Sequence, residues 1–266
     1  MSEIIDLRKP QVIHHPESDS YFIGKVDEDN GCHPVAADQL RAGTQIAVGV
    51  GFSTVIPDMD FETYSEAGFI WNEAQKKWGV PAGAQKKGLF AVGAAAYAEH
   101  PSAEIIVLKY DLKDGKGPRT WIPGMANPQE LFDYFARGGL MEAWNCSFEC
   151  HVWNKIAVPK LGWPPLNFWQ LRDAMAKARA FALPGALAKA AEVTDAPVQK
   201  LTDGRRLIEK FSCPRKPTVK DPRTRIRPEE DMADYLKFIN YCGVDIQSEA
   251  AVAAMVPDLP PEELQF

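Results

Sequence analysis

Cysteine is scarce in this 266-residue chain, and the few present form no framework. Cys32, Cys146, Cys150, Cys213 and Cys242 are odd in number and include no C-x-x-C pair. That pattern excludes a disulfide scaffold and suits a reducing compartment. Long apolar runs are also missing. The longest weakly polar stretch, Leu89 to Ala98, is half of the ~20 residues that a spanning helix needs, so no membrane partner is expected. The opening MSEIIDLRKPQ has no basic segment followed by an apolar one. It does not read as a secretory signal, and a cytoplasmic location is expected. There is no Walker A sequence, and Gly49-Val50-Gly51 lacks the third glycine of a dinucleotide fingerprint. Positive charge is in deficit, with 30 Lys+Arg against 36 Asp+Glu and a net charge of −6. Taken as an average, that value argues against a nucleic-acid partner.

What is present is ordinary globular material. Hydrophobic residues make up 45% and charged residues 25%, enough apolar surface to exclude wholesale disorder. Residues 1–45 stand apart as an extension with little periodicity. They carry His14, His15, Cys32 and His33 at spacings that match no zinc pattern. From residue 46 onward strands are expected at 46–50, 53–56, 59–63, 89–98 and 104–112, with a loop through Trp71, Trp78 and Pro81. The period then changes to about 3.6. Helices are expected at 128–139, 147–158 (stopping before Pro159), 167–182, 184–193 and 228–255, with a short strand at 140–145. Strands first and helices later indicate an α/β class with a mixed central sheet flanked by helices.

Acidic side chains concentrate in three places. Asp60 and Glu62 lie two apart on an expected strand, so they share a face while Phe61 points away. Adjacent carboxylates repel unless a cation sits between them, although a solvated strand end would also tolerate them. Asn145 and Glu149 flank a strand-to-helix junction, where a carboxylate is also stabilised by the helix dipole alone. Tyr241 and Asp245 are four apart on one helix face, as a reactive pair or as a structural one.

In order, D-x-E (60–62), N-x-x-F-E (145–149) and Y-x-x-x-D (241–245) resemble the DEDD family of 3′–5′ exonucleases, in its tyrosine subgroup. The flanking DFETYSEAGF, KKGLFAVGAAAYA, MAKARAFALPGALAKAA and Lys200…Gly204…Leu207-Ile208 resemble the proofreading exonuclease domain of bacteriophage-type family A DNA polymerases. The resemblance covers about 58–266, so an exonuclease domain is placed at 46–266. It implies a ribonuclease H-like exonuclease fold and two divalent cations, Mg2+ or Mn2+. By motif, Asp60 would bridge both ions, Glu62 and Asp245 would complete one site, and Glu149 would serve the other. Tyr241 would orient the attacking water. Thr63, Asn145 and Phe148 would contact the terminal nucleotides of a DNA 3′ end. The sequence departs from the pattern in having Glu149 where Asp is usual, Trp144 where His often precedes the Asn, and Gly243-Val244 before the final Asp. The chain stops where the family's polymerase domain would begin, which makes a separately encoded polymerase a candidate partner.

One segment runs against the average charge. Residues 200–227 hold ten basic residues against Asp203, Glu209 and Asp221, a net of 10 − 3 = +7. Interrupted by Phe211, Pro214 and Pro217, the segment reads as an extended phosphate-binding track including Lys200, Arg205, Arg206 and Lys210.

Overall fold

The computed structural model describes residues 56–199, 201 and 203–259, together with the backbone of three strands within 12–34. The chain divides into two compact units, 1–49 and 50–266. In the first, where no regular elements were expected, β1 (Val12–His15), β2 (Ser20–Val26) and β3 (Cys32–Pro34) form an antiparallel three-stranded sheet. The side chains of His14, His15, Cys32 and His33, and the strands expected at 46–55, lie outside the described residues.

The second unit is built on a five-stranded mixed sheet. Its strands are β4 (Asp58–Tyr64), β7 (Glu104–Asp111), β8 (Arg119–Trp121), β9 (Met141–Ala143) and β10 (Leu171–Asp173). The order is β10-β9-β4-β7-β8, so β4 is central. β4 runs antiparallel to β7 and parallel to β9, β7 is antiparallel to β8, and β9 is parallel to β10. The period-2 alternation of β4 works as expected. Met59 and Phe61 enter one core with Leu108, Trp121, Leu131, Met141, Trp153 and Trp163. Phe61 meets the Trp153 ring edge-on at 6.3 Å, a favoured aromatic geometry. The register shifts between Glu62 and Thr63, an irregularity of the kind that re-aims side chains beside active sites.

Helices cover the sheet: α1 (Leu89–Glu99), α2 (Gln129–Ala136), α3 (Ser147–Val152), α4 (Val158–Leu161), α5 (Ala174–Ala180), α6 (Leu187–Val193), α7 (Gly204–Phe211) and α8 (Met232–Ala253). Five local expectations are corrected here. Residues 89–98 form a helix rather than a strand, because an Ala-rich apolar run favours either state by pattern and Ala favours the helix. The Trp71–Pro81 stretch is no loop but a hairpin of β5 (Ile70–Asn72) and β6 (Lys77–Gly79), with Trp71 and Trp78 cross-strand partners. The helix from 147 does not stop before Pro159. A π-helical turn at Trp153–Ala157 leads into α4, whose first turn accommodates the proline, and Gly162 in the left-handed region ends it. The expected helix at 167–182 is split into a 3-10 turn, edge strand β10 and α5, the last capped by Asp173. Within the basic segment, Gly204–Phe211 is helical rather than extended, with Leu207 and Phe211 facing the aromatic side of α8.

Candidate metal and catalytic site

The carboxylates gather on the face of β4 opposite Phe61. Asp60 and Glu62 project there, and α8 packs across them. The face of α8 that carries Tyr241, Cys242, Asp245 and Glu249 is buried, held by Phe238 and Tyr235 against Tyr64 and Ile106. Cys242 Sγ lies 3.2 Å from Asp60 Oδ2 and acts as its hydrogen-bond donor. Asp60, Glu62 and Cys242 bring their ligand-type atoms within 4.8 Å of one another, which makes them a group able to hold a metal ion. The Tyr241 hydroxyl donates to Asp245, and its acidity is suppressed first by burial and then by the charges of Asp245, Glu62 and Asp60. The phenol therefore remains protonated throughout the working pH range.

Glu149, at the start of α3, is 2% exposed. Burial first, and then the Asp60 charge, pushes its carboxyl well above the ordinary range. Its Oε2 is buried without a hydrogen-bond partner. Asn145 turns the chain from β9 into α3 through a left-handed φ of 71°, and Asp173 Oδ1 accepts its N–H at 3.2 Å. Its own carbonyl accepts the Phe148 N–H at 2.9 Å. Thr63 Oγ1 is 3.1 Å from the Tyr97 hydroxyl, and the Tyr97 ring lies 5.9 Å from that of Phe148. Thr63, Tyr97 and Phe148 thus form one wall beside the acidic residues.

The basic residues singled out in the sequence lie differently. Arg205 pairs with Glu209 at 3.0 Å, and Arg206 pairs with Asp234 at 2.6 Å and with Asp203. Lys210 pairs with Asp231 and with Asp234. These three cations are engaged by carboxylates on α7, α8 and the turns before them. Lys200 lies outside the described residues.

The structure adds residues that sequence reasoning missed. Lys109 is Asp60's register partner on β7, and burial lowers its amine pKa. Gly243 faces it, and a Cβ there would stand 3.4 Å from Lys109 Cε, an ordinary van der Waals contact. Gly204 opens α7 against the Tyr241 ring. An added Cβ would lie 2.0 Å from Tyr241 Cε2, so any side chain at this position must displace the ring. Behind the site, Asp58 and Glu142 are register partners across β4 and β9, and both are buried. Burial raises Asp58 to about 6 despite its ion pair with Lys113, and raises Glu142 to about 7 despite Lys177. Glu249, wholly buried, is pushed well above the ordinary range by burial and then by Asp58, Glu142, Glu149 and Asp60. A signal for Glu249 was available, because it follows Asp245 by one helical turn on an otherwise apolar face.

No family model matches the chain. Part of it is similar to a DNA polymerase. The relative is the DNA polymerase of Bacillus phage SP02, 29% identical over 182 residues. The matched stretch is 66% of this chain and 27% of that polymerase, so the chain spans about a quarter of its relative's length. Among the described residues no helix is long and apolar enough to cross a membrane.

Proposed function

We propose that this protein is a metal-dependent 3′–5′ exonuclease that hydrolyses the terminal phosphodiester of a single-stranded or frayed DNA 3′ end, releasing nucleoside 5′-monophosphates. The observation that carries the reading is the convergence of Asp60, Glu62, Glu149, Tyr241 and Asp245, from β4, α3 and α8, into one buried group of interacting carboxylates and a phenol. Like charges at this density are costly unless cations offset them. The similarity to a phage DNA polymerase favours DNA as the substrate. The sheet order, with antiparallel neighbours on one side of β4 and parallel ones on the other, supports a ribonuclease H-like reading.

The donor set fits hard divalent cations, since carboxylate oxygens dominate it and Glu149 Oε2 is a buried acceptor without a hydrogen-bond donor. Asp60, Glu62, Glu149 and Asp245 would hold two such ions, Mg2+ or Mn2+. When bound, the ions would polarise the phosphoryl oxygens and lower the pKa of water. The chain's own residues do the rest. The Tyr241 hydroxyl, kept neutral and anchored by Asp245, orients the attacking water. Thr63, Asn145 and Phe148 seat the terminal nucleotide. Removal of 3′-labelled nucleotides from an oligonucleotide by the purified chain, dependent on Mg2+ or Mn2+ and abolished in Asp60→Ala, is the expected result. An oligonucleotide left intact with both metals would sink the reading.

A further inference from the structure

Exposed lysines outside any ion pair gather where the hairpin β5–β6, the approach to α1 and the loop 212–220 meet. Residues 70–90 carry Lys76, Lys77, Lys86 and Lys87 against Glu73 alone. Lys76 pairs with that Glu73. Among the described residues Lys77, Lys86, Lys216 and Lys220 enter no ion pair, and all four side chains are exposed. The acid nearest the loop lysines, Asp221, is already engaged by Arg215 and Arg223. This surplus of positive charge has no structural use that the ion pairs explain.

The face is also built rather than loose. Trp78 Nε1 donates to the Arg215 carbonyl at 3.0 Å, which fastens the hairpin to the loop. Trp71 and Trp78 pack edge-on at 5.2 Å, and Phe69 meets Trp78 at 6.5 Å. Gly68 and Gly88 cross so closely that a Cβ on Gly68 would stand 2.3 Å from the Gly88 carbonyl oxygen. Beside the lysines, Phe90 in the first turn of α1 is 79% exposed, with Lys86 Nζ 5.1 Å from its ring centroid. An exposed ring among unpaired lysines matches the pattern of single-strand binding, where bases stack and phosphates meet cations. The location matches too. α1, kinked at Gly93, carries both Phe90 and Tyr97, and the Tyr97 hydroxyl is 3.1 Å from Thr63 Oγ1 on the strand that carries Glu62.

We propose that this face binds the single strand whose 3′ end enters the carboxylate site, with Lys77, Lys86, Lys216 and Lys220 on its phosphates and Phe90 on a base. The polarity of the strand rests on the nuclease reading, whereas the surface itself does not. The test measures anisotropy of labelled oligothymidylate on the full chain, with Ca2+ in place of Mg2+, across a salt series. Changing the four lysines to glutamate should weaken binding tenfold or more. It should also flatten the dependence of log K on log salt by about 2 to 3, since each phosphate contact on a single strand contributes about 0.7. Changing the same lysines to glutamine should give a smaller loss, and circular dichroism of each variant checks that it is folded. Phe90→Ala should cost about fivefold through lost stacking.

Unchanged affinity and salt slope in the folded glutamate variant would overturn the proposal. So would equal affinity of the wild-type chain for polyglutamate and oligothymidylate with Phe90→Ala silent, since that describes an unspecific polyanion surface. The reaction is read separately, from hydrolysis of the p-nitrophenyl ester of thymidine 5′-monophosphate by the wild type. Loss of strand binding in the variants with no ester hydrolysis by the wild type would keep this surface and remove the nuclease reading. Ester hydrolysis with variants that bind normally would do the reverse.

Discussion

The groove between β4 and α8 and the outer face of α7 treat charge in opposite ways. In the groove, Asp60, Glu62, Glu149, Asp245 and Glu249 are brought together with Lys109 as the cation on the adjoining strand. On α7, Arg205, Arg206 and Lys210 are matched by Glu209, Asp203, Asp231 and Asp234. A local count of charges ranks α7 as a binding surface and the groove as a liability. The pairing reverses that ranking. Surface pairs such as those on α7 contribute little to stability, and each cation there already faces a carboxylate. Buried like charges repel one another until a cation offsets them or a proton neutralises one of them.

The sharpest way to break the comparison is to remove a carboxylate from the groove. Asp245→Ala should lower nuclease activity by at least about a thousandfold, because charge stabilisation in the reaction is lost. Its melting temperature should stay level or rise, since a buried repulsive charge leaves with it. A fall in both would mark Asp245 as structural. The next effect in size is at Gly204. Alanine there pushes the Tyr241 ring, and a displacement on the order of 1 Å costs about a hundredfold in rate. In a Tyr241→Phe background the same change should add little to the loss already incurred. An additive loss would show that Gly204 acts elsewhere.

A third effect is one of pH. Glu142 titrates near 7 in the folded chain, above its ordinary 4.5. The native state therefore binds this proton more tightly than the unfolded chain, and stability should fall as pH rises from about 4.5 to 7 and then level off. Glu142→Gln should stabilise the protein by about 3 kcal/mol above pH 7, with the gain vanishing below pH 4.5. Denaturation series at the two ends of that range test it, and a pH-independent difference would reject it. The smallest effect belongs to α7. Arg206→Gln should change oligonucleotide affinity by no more than about twofold, because its guanidinium is already committed to Asp234. A large loss by anisotropy would restore α7 as the track.

How much of this was legible in the sequence depended on range. Alternation placed β4 and sent Phe61 to the side opposite Asp60 and Glu62, because a strand's parity is local. Helical spacing put Tyr241 and Asp245 on one face for the same reason. Strand β10 was hidden inside a helix-favouring run, since its pairing with β9 is tertiary. Cys242, Lys109 and Gly204 were invisible as site residues because each matters only through what α8 packs against. The ion pairs of α7 were unreadable for a related reason, as Arg206 finds Asp234 across 28 residues of sequence.

The register irregularity after Glu62 carries a consequence for how this chain can change length. Upstream of it, deleting or inserting one residue in β4 would exchange the faces of the strand. Carboxylates would enter the tryptophan core and Phe61 would enter the groove. Downstream, β4 ends at Tyr64 and the chain leaves the five-stranded sheet for a separate hairpin, so residues added beyond Tyr64 leave the faces of β4 unchanged. Lineages of this fold should therefore hold the length of residues 58–62 more strictly than that of the chain between Tyr64 and α1.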